Sequence, residues 1–344
     1  MTARRVLIAL VGLAFIAIAW FLVTGGLPGG AQKANALAVG ETLPPAPDPT
    51  NLQSYVTNRQ AAIELGKALF WDMQAGSDGV TACATCHFSA GADSRSRNTQ
   101  NPGAQGGGGF GPNKQLTAGD FPVTSGVVTG SQGVNPSTFT GITPGRFADD
   151  QTPAGPDATF SSGGVNVRRV TGRNTPSVIN AVYNFRNFWD GRAQNHFNGV
   201  SPFGNRDQGA RIAVWDGNNV AISQVPPGDL NNASLASQAV GPPGNNVEMS
   251  ADGRSLRDIG KKLLSLRPLQ RQHVDPTDSV LGPLADSSGK GLNISYDSLV
   301  RSAFQPRLWA GSQLVQVQGG TPVGVRAPTT APGPNEFTQM QFNW

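Results

Sequence analysis

Residues 82–91 read "ACATCHFSAG" and contain both cysteines of the 344-residue chain, Cys83 and Cys86, followed directly by His87. This spacing is typical of covalent haem attachment, in which two thiols bond to the vinyl groups and the histidine becomes an axial ligand of the iron. A thioredoxin-like pair would need a βαβ unit, which the surrounding sequence does not predict. A zinc site would lack its fourth ligand, since the other histidines are His196 and His273. A local disulfide is the remaining structural alternative.

The N-terminal region predicts export from the cytoplasm. Arg4 and Arg5 precede an unbroken apolar run over 6–23, as in a signal peptide. Because the run is long enough to span a bilayer, residues 1–24 are predicted to be either a signal peptide or an uncleaved membrane anchor. The Pro- and Gly-rich residues 25–57 are predicted to form a tether. We therefore expect a protein that is periplasmic, secreted or anchored by its N-terminal segment.

The composition indicates a loop-rich chain without a surface for nucleic acid. The sequence has 44 Gly and 26 Pro, and only 14% of its residues are charged. Its net charge of +4 comes from scattered Lys and Arg, not from a basic stripe interleaved with aromatic residues, so no nucleic-acid partner is expected. The Gly-, Ser- and Asn-rich residues 88–173 are predicted to be a long irregular insertion.

Hydrophobic spacing predicts amphipathic helices around a core. One covers 58–72 and leads into the cysteine motif, with Ile63, Leu69 and Phe70 on one face. Another is predicted to begin at Pro176 in "NTPSVINAVYN". Two more are predicted in "SLRDIGKKLLSL" and "SYDSLVRSAF".

Three further stretches resemble the bacterial di-haem cytochrome c peroxidase family, which includes the MauG-like enzymes. They are "ELGKALFWD", "GRNTPSVINAVYNFRNFWDGRA" and "SQAVGPPGNNVEMS", which follow the family's order over 64–250. Together with the predicted helices, the resemblance implies a mainly α, cytochrome c-like haem domain over 58–320, with the insertion at 88–173. It also implies reduction of hydrogen peroxide to water.

The resemblance assigns roles to individual residues. The cysteine motif would hold the haem that reacts with peroxide. Glu248 would move a proton between the peroxide oxygens, and Gln238 would position the peroxide; without the resemblance, both would be interpreted as surface side chains. Trp189 matches a tryptophan on the electron route between two haems, and would otherwise be a core aromatic residue. Asn174 matches an asparagine that helps to bind calcium, and would otherwise be a helix N-cap.

The sequence departs from the family pattern in three ways. No histidine occurs in 88–173 to cap the haem, and the segment 193–237 is long and places His196 near the pocket. The second Cys-x-x-Cys-His motif is also absent from the sequence. We therefore expect the C-terminal haem half to be missing, with 321–344 as a linker and the start of that half. An exposed apolar surface is expected there, formed by Phe337, Met340, Phe342 and Trp344.

Other polar residues near these motifs have simpler interpretations. His196 is more typical of a solvated loop histidine than of a distal haem ligand, and His273 is expected at the surface. Asp190 and Arg192 are expected to form a structural ion pair or to bind a haem propionate.

The resemblance also implies redox partners. Electrons would come from a small cytochrome c or a cupredoxin, through a second haem segment that this chain lacks. One alternative is a mono-haem electron carrier, which would need Met73, Met249 or Met340 as sixth ligand. A MauG-like oxidase of a protein substrate is the other.

Overall fold

The computed structural model describes residues 45–95, 117–122, 130–145 and 147–344. The predicted export segment, most of the tether and part of the insertion lie outside the described residues. The chain divides into two units, Met1–Pro45 and Ala46–Trp344, and the second holds every described residue except Pro45. None of the helices in the described ranges is both long and apolar enough to cross a bilayer.

Five α-helices occur among the described residues, and three of them confirm the prediction from hydrophobic spacing. Each of these three begins after a side chain that accepts a hydrogen bond from the first turn, as N-cap residues do: Asn58, Ser255 and Ser295. The helices are α1 (Arg59–Trp71), α2 (Ser234–Ala239), α3 (Leu256–Leu263), α4 (Tyr296–Ala303) and α5 (Gln339–Phe342).

The predicted fold class, mainly α, is wrong. Apart from α1, no helix of the described chain exceeds eight residues. Short antiparallel strands form three hairpins and one three-stranded sheet. The abundant Gly and Pro keep helical runs short, and runs such as "LVQVQ" alternate with the period of a strand. The strands are β1 (Gly141–Thr143), β2 (Asp149–Gln151), β3 (Ser161–Ser162), β4 (Val165–Asn166), β5 (Ile212–Trp215), β6 (Val220–Ser223), β7 (Leu314–Gln318), β8 (Thr321–Arg326) and β9 (Glu336–Thr338).

The helix predicted to begin at Pro176 is not formed. Only a single 3-10 turn, Ala181–Tyr183, occurs there, preceded by Asn180 with a left-handed φ of 65°. Ile179, which the predicted helix would have buried, is 64% exposed. The segment instead bonds to the loop after the cysteine motif, where the Val178 N–H donates to the carbonyl of Ala90. The helix does not form because Asn180 adopts a left-handed conformation and the segment bonds to a distant loop.

The main core positions the cysteine motif. Helices α1, α3 and α4 contribute to it, and Cys83 packs against its edge. The buried face of α1 consists of Ala61, Leu65 and Ala68, not the face predicted from Ile63, Leu69 and Phe70. Because two of these three buried side chains are alanines, α1 and α4 pack closely against each other. The cysteine motif follows α1 in the sequence and is positioned by this packing.

The C-terminal residues belong to the folded core. Phe337, Met340 and Phe342 are buried, and Trp344 packs edge-on against Tyr296. The expected exposed apolar surface is therefore not present. Strand β9 pairs with β7, which provides the apolar neighbours that the sequence interpretation did not include.

A buried ion network joins the insertion to the core. Asp150 of β2 lies 2.9 Å from Nη2 of Arg254 and 2.6 Å from Nζ of Lys262, and all three side chains are inaccessible to solvent. Arg254 also donates to the carbonyl of Ala75, and Lys262 to that of Gly76. The network therefore fixes the segment that leads into the cysteine motif.

Candidate haem-binding site

The cysteine motif folds as one tight turn. Cys83–Thr85 form a 3-10 turn, and the backbone N–H groups of Cys86 and His87 both donate to the carbonyl of Cys83. The Thr85 hydroxyl closes the turn by accepting from the N–H of Ala82. Neither cysteine is in a disulfide, so both thiols are available for thioether bonds.

His87 is held in the tautomer that an iron ligand needs. Its Nδ1 lies 2.8 Å from the carbonyl oxygen of Pro176, and because a carbonyl can only accept, Nδ1 carries the proton. The Nε2 atom therefore keeps its lone pair for a metal. Burial lowers the pKa of His87, which further favours the neutral ring. The ring of Phe70 packs at 6.0 Å from that of His87.

The two thiols have different surroundings. The Sγ of Cys83 contacts the Sδ of Met249 at 3.8 Å, and burial raises the pKa of Cys83 to about 12. Cys86 lies 3.4 Å from the carbonyl of Gln132 and 3.7 Å from Nη2 of Arg95, and burial raises its pKa as well. Two neutral thiols at this spacing, beside a neutral imidazole, fit a covalently attached haem c.

The segment 132–134 bonds both to the cysteine motif and to residues 247–249, "VEM". Gln132 accepts from Cys86, and two residues later the Val134 N–H donates to the carbonyl of Glu248. Gly133 lies so close to this backbone that a Cβ there would be 1.9 Å from the carbonyl oxygen of Val247. The structure therefore brings Glu248 next to the attachment motif, and its role in proton transfer stays a prediction.

Glu248 lines a cavity of about 360 Å³ together with Arg192 and mainly apolar side chains. Burial raises the pKa of its carboxyl, and the positive charge of Arg192 partly opposes this effect. A carboxyl with a raised pKa can exchange its proton nearer neutral pH than a solvated one. The other walls are formed by Phe188, Val200, Ser201, Pro202, Phe203, Val240, Gly241, Gly244, Asn245 and Leu256.

Gln238 lies near the cavity but does not line it. It is half-buried near the end of α2, two residues before Val240 of the cavity wall, and is not itself among the wall residues of this described cavity. Its role in positioning peroxide stays a prediction.

Trp189 is not a core aromatic residue. It is 70% exposed, and the guanidinium of Arg173 stacks 3.6 Å from the centre of its ring. Its role in electron transfer stays a prediction. The predicted ion pair between Asp190 and Arg192 is confirmed at 3.1 Å, and Arg192 stacks on Phe188 at 3.8 Å.

Asn174 holds two loops together. Its Nδ2 donates to the carbonyl of Asp93 at 2.9 Å, and no α-helix follows for it to cap. Among the described residues, no group of three or more His, Cys, Asp or Glu side chains could hold a metal ion. Calcium binding at Asn174 stays a prediction.

The other histidines and methionines have distinct surroundings. His196 is only 6% exposed, and its Nδ1 has no hydrogen-bond partner in the described structure, so its interpretation as a solvated residue is wrong. His273 is exposed, as predicted. Met340 belongs to the main core, Met249 contacts Cys83, and Met73 is half-buried.

Sequence reasoning missed the parts of the site that the backbone supplies. The carbonyl of Pro176 accepts from His87, and the carbonyl of Gln132 accepts from Cys86. Because every residue has a backbone carbonyl, the residue types in the sequence do not predict such contacts. The Met249 contact with Cys83 could have been suspected, because Met249 follows Glu248 directly in the sequence.

Comparison with known proteins identifies one family. The family model described as di-haem cytochrome c peroxidase matches residues 60–272, which is more than half of the chain. This range includes the cysteine motif, the Pro176 segment and Glu248. No curated protein and no solved structure matches significantly.

Proposed function

We propose that this chain, which belongs to the di-haem cytochrome c peroxidase family, reduces hydrogen peroxide to water at a haem c attached through Cys83 and Cys86 and ligated by His87. One observation carries the proposal: the half-buried carboxyl of Glu248 lies beside the attachment motif and lines a cavity. Bound haem would supply an iron that transfers electrons from a donor protein to peroxide.

The residues of the chain supply the proton chemistry. In its ionised form, Glu248 accepts a proton from one peroxide oxygen and returns it to the other, so that the O–O bond breaks with release of water. Gln238 is proposed to orient the peroxide, and Trp189 to lie on the electron route.

The proposed setting is outside the cytoplasm. The N-terminal residues 1–24 support export or anchoring, and haem attachment to Cys-x-x-Cys-His in an exported chain is consistent with this. The proposed donor is a small cytochrome c or cupredoxin, which would act through a second haem segment. The sequence itself carries one attachment motif.

A direct assay tests the proposal. The full chain is produced with haem attached, and peroxide consumption is followed with reduced cytochrome c, with and without an added haem-bearing partner. Peroxide-dependent oxidation of the donor is expected, and a Cys83→Ala/Cys86→Ala variant should lack it. Attached haem whose absorption spectrum does not respond to peroxide would contradict the proposal.

A further inference from the structure

A fully buried tyrosine lies in the core that supports the cysteine motif. Tyr296 begins α4 and has no solvent exposure. Cys83 packs against the same core, and burial raises the pKa of Tyr296 well above its ordinary value. The ring of Trp344 lies edge-on at 5.8 Å. The proposed reaction does not use this phenol.

The phenol has a carboxylate positioned to take its proton. Its hydroxyl donates to Oδ2 of Asp72 at 2.7 Å, and Asp72 is itself fully buried. The same carboxylate accepts from the backbone and the side-chain amide of Gln74 and from the N–H of Leu269. Because all four of these groups donate, Asp72 acts purely as an acceptor, which is the behaviour of an ionised carboxylate.

We propose that Tyr296 is an internal one-electron donor to the haem site and that Asp72 accepts its proton. This inference rests on the proposed peroxidase function. Reduction of hydrogen peroxide to two waters consumes two electrons and two protons, so a shortage of external donor leaves the site an electron short. Tyr296 then gives one electron to the site, its O–H bond breaks, and the proton moves to Oδ2 of Asp72.

Coupling of the proton to the electron follows from burial. A tyrosine that lost only an electron would leave a positive charge in the core, which is costly. Transfer of the proton to Asp72 leaves a neutral phenoxyl radical and a neutral carboxylic acid. A later electron from the external donor and the proton held by Asp72 restore the phenol.

Tyr55 provides a matched control within the same chain. Its hydroxyl also donates to a carboxylate, Oδ2 of Asp229 at 3.0 Å, and it is also buried. It belongs to a separate cluster with Ile212, Val225 and Leu230, in which Cys83 takes no part. Because this pair lies outside the core that Cys83 contacts, Tyr55→Phe should leave the radical intact.

The test is electron paramagnetic resonance of the haem-loaded full chain, frozen after mixing with peroxide without a donor. A tyrosyl signal is expected, which narrows when the tyrosines are ring-deuterated, is lost in Tyr296→Phe and persists in Tyr55→Phe. A haem absorption change without any tyrosyl signal, or with a signal that survives Tyr296→Phe, overturns the inference and leaves the peroxidase proposal standing. No absorption change at all overturns both.

A second variant keeps the inference testable if Tyr296→Phe does not fold. The sequence has three tyrosines, so replacing Tyr55 and Tyr183 by Phe leaves Tyr296 as the only one. The signal should persist with its deuterium sensitivity in this double variant. Its loss there would overturn the assignment to Tyr296.

Discussion

The Nδ1 atom of His87 donates to the carbonyl of Pro176, 89 positions further along the chain. The tautomer of the proposed iron ligand therefore depends on how the Pro176 segment is held against the loop after the cysteine motif. Several hydrogen bonds hold it: the Asp93 N–H donates to the carbonyl of Thr175, Asn174 donates to that of Asp93, and the Val178 N–H donates to that of Ala90.

Asn174→Ala should loosen this junction. Loss of one side-chain hydrogen bond is expected to lower the free energy of unfolding by about 1 kcal/mol, measured by urea denaturation, whereas Asn205→Ala at an exposed loop position should change it little. Repeating the urea denaturation in the presence of calcium tests the predicted calcium site. A stabilisation by calcium that Asn174→Ala abolishes would support it, and no calcium effect in the wild type would contradict it.

Glu248→Gln should retain haem and fold but slow the reaction with peroxide by roughly two to four orders of magnitude, because the amide cannot accept the proton. Stopped-flow absorption after mixing with peroxide measures the rate, and haem content verifies assembly. Gln238→Ala should have a smaller effect, since that side chain is not part of the cavity wall. An unchanged rate in Glu248→Gln would remove this residue from the mechanism.

The pH dependence should report the charge state of Glu248. Burial raises its pKa above the ordinary value, and the proton-accepting form is the carboxylate, so the peroxide rate should fall as pH drops through this raised pKa. Arg192→Gln removes the charge that opposes the shift, so the pKa rises further and the fall begins at higher pH. Arg192→Lys keeps the charge and should behave more like the wild type. Identical profiles in all three proteins would contradict the proposed coupling.

The buried ion network should dominate the stability of the attachment region. Asp150→Asn leaves Arg254 and Lys262 without their buried counter-charge and should cost about 3–5 kcal/mol of unfolding free energy. Asp149→Asn is the control, because Asp149 is 41% exposed, pairs with Arg271 at 3.0 Å and reaches Lys262 only at 3.8 Å, so that its loss should cost less than about 1 kcal/mol. Chemical denaturation of the two variants compares them, and equal losses would show that burial is not the deciding factor.

The resting haem spectrum should identify the sixth ligand. With no histidine in 88–173, we expect a high-spin or weakly ligated iron that is unaffected by His196→Ala or Met249→Leu. A low-spin bis-histidine spectrum that His196→Ala abolishes would assign His196 as a ligand. A low-spin His/Met spectrum that Met249→Leu abolishes would favour the mono-haem electron carrier.

The extent to which the sequence predicted the fold depended on the range of the interactions involved. Helices α1, α3 and α4 were predictable because hydrophobic spacing and a capping side chain coincide in each. The β7–β8 hairpin was missed although its signals are local: "LVQVQ" alternates, and Gly319 and Gly320 both adopt positive φ in the turn. The failed helix at Pro176 depended on Asn180 and on a distant backbone partner, which no local pattern shows.

The candidate site likewise has a part that local spacing predicts and a part that depends on the whole fold. Spacing alone identified Cys83, Cys86 and His87, because attachment chemistry needs those residue types in one short turn. Placement of Glu248 beside them came from the family resemblance and required the whole fold to bring the two segments together. The burial of His196 and the exposure of Trp189 were not predictable, since both depend on how irregular loops pack.

The junctions around the site also explain how a long polar insertion is tolerated. Ser131 is tied to the site through its hydroxyl, which accepts from the N–H of Thr175, and Val134 and Arg169 pair through their backbones. The stretch between Val134 and Arg169 therefore begins and ends at a backbone-paired point. Because the cost of loop closure grows by only about 0.6 kcal/mol for each doubling of loop length, a change of length between these two paired residues is expected to leave the candidate site residues in place.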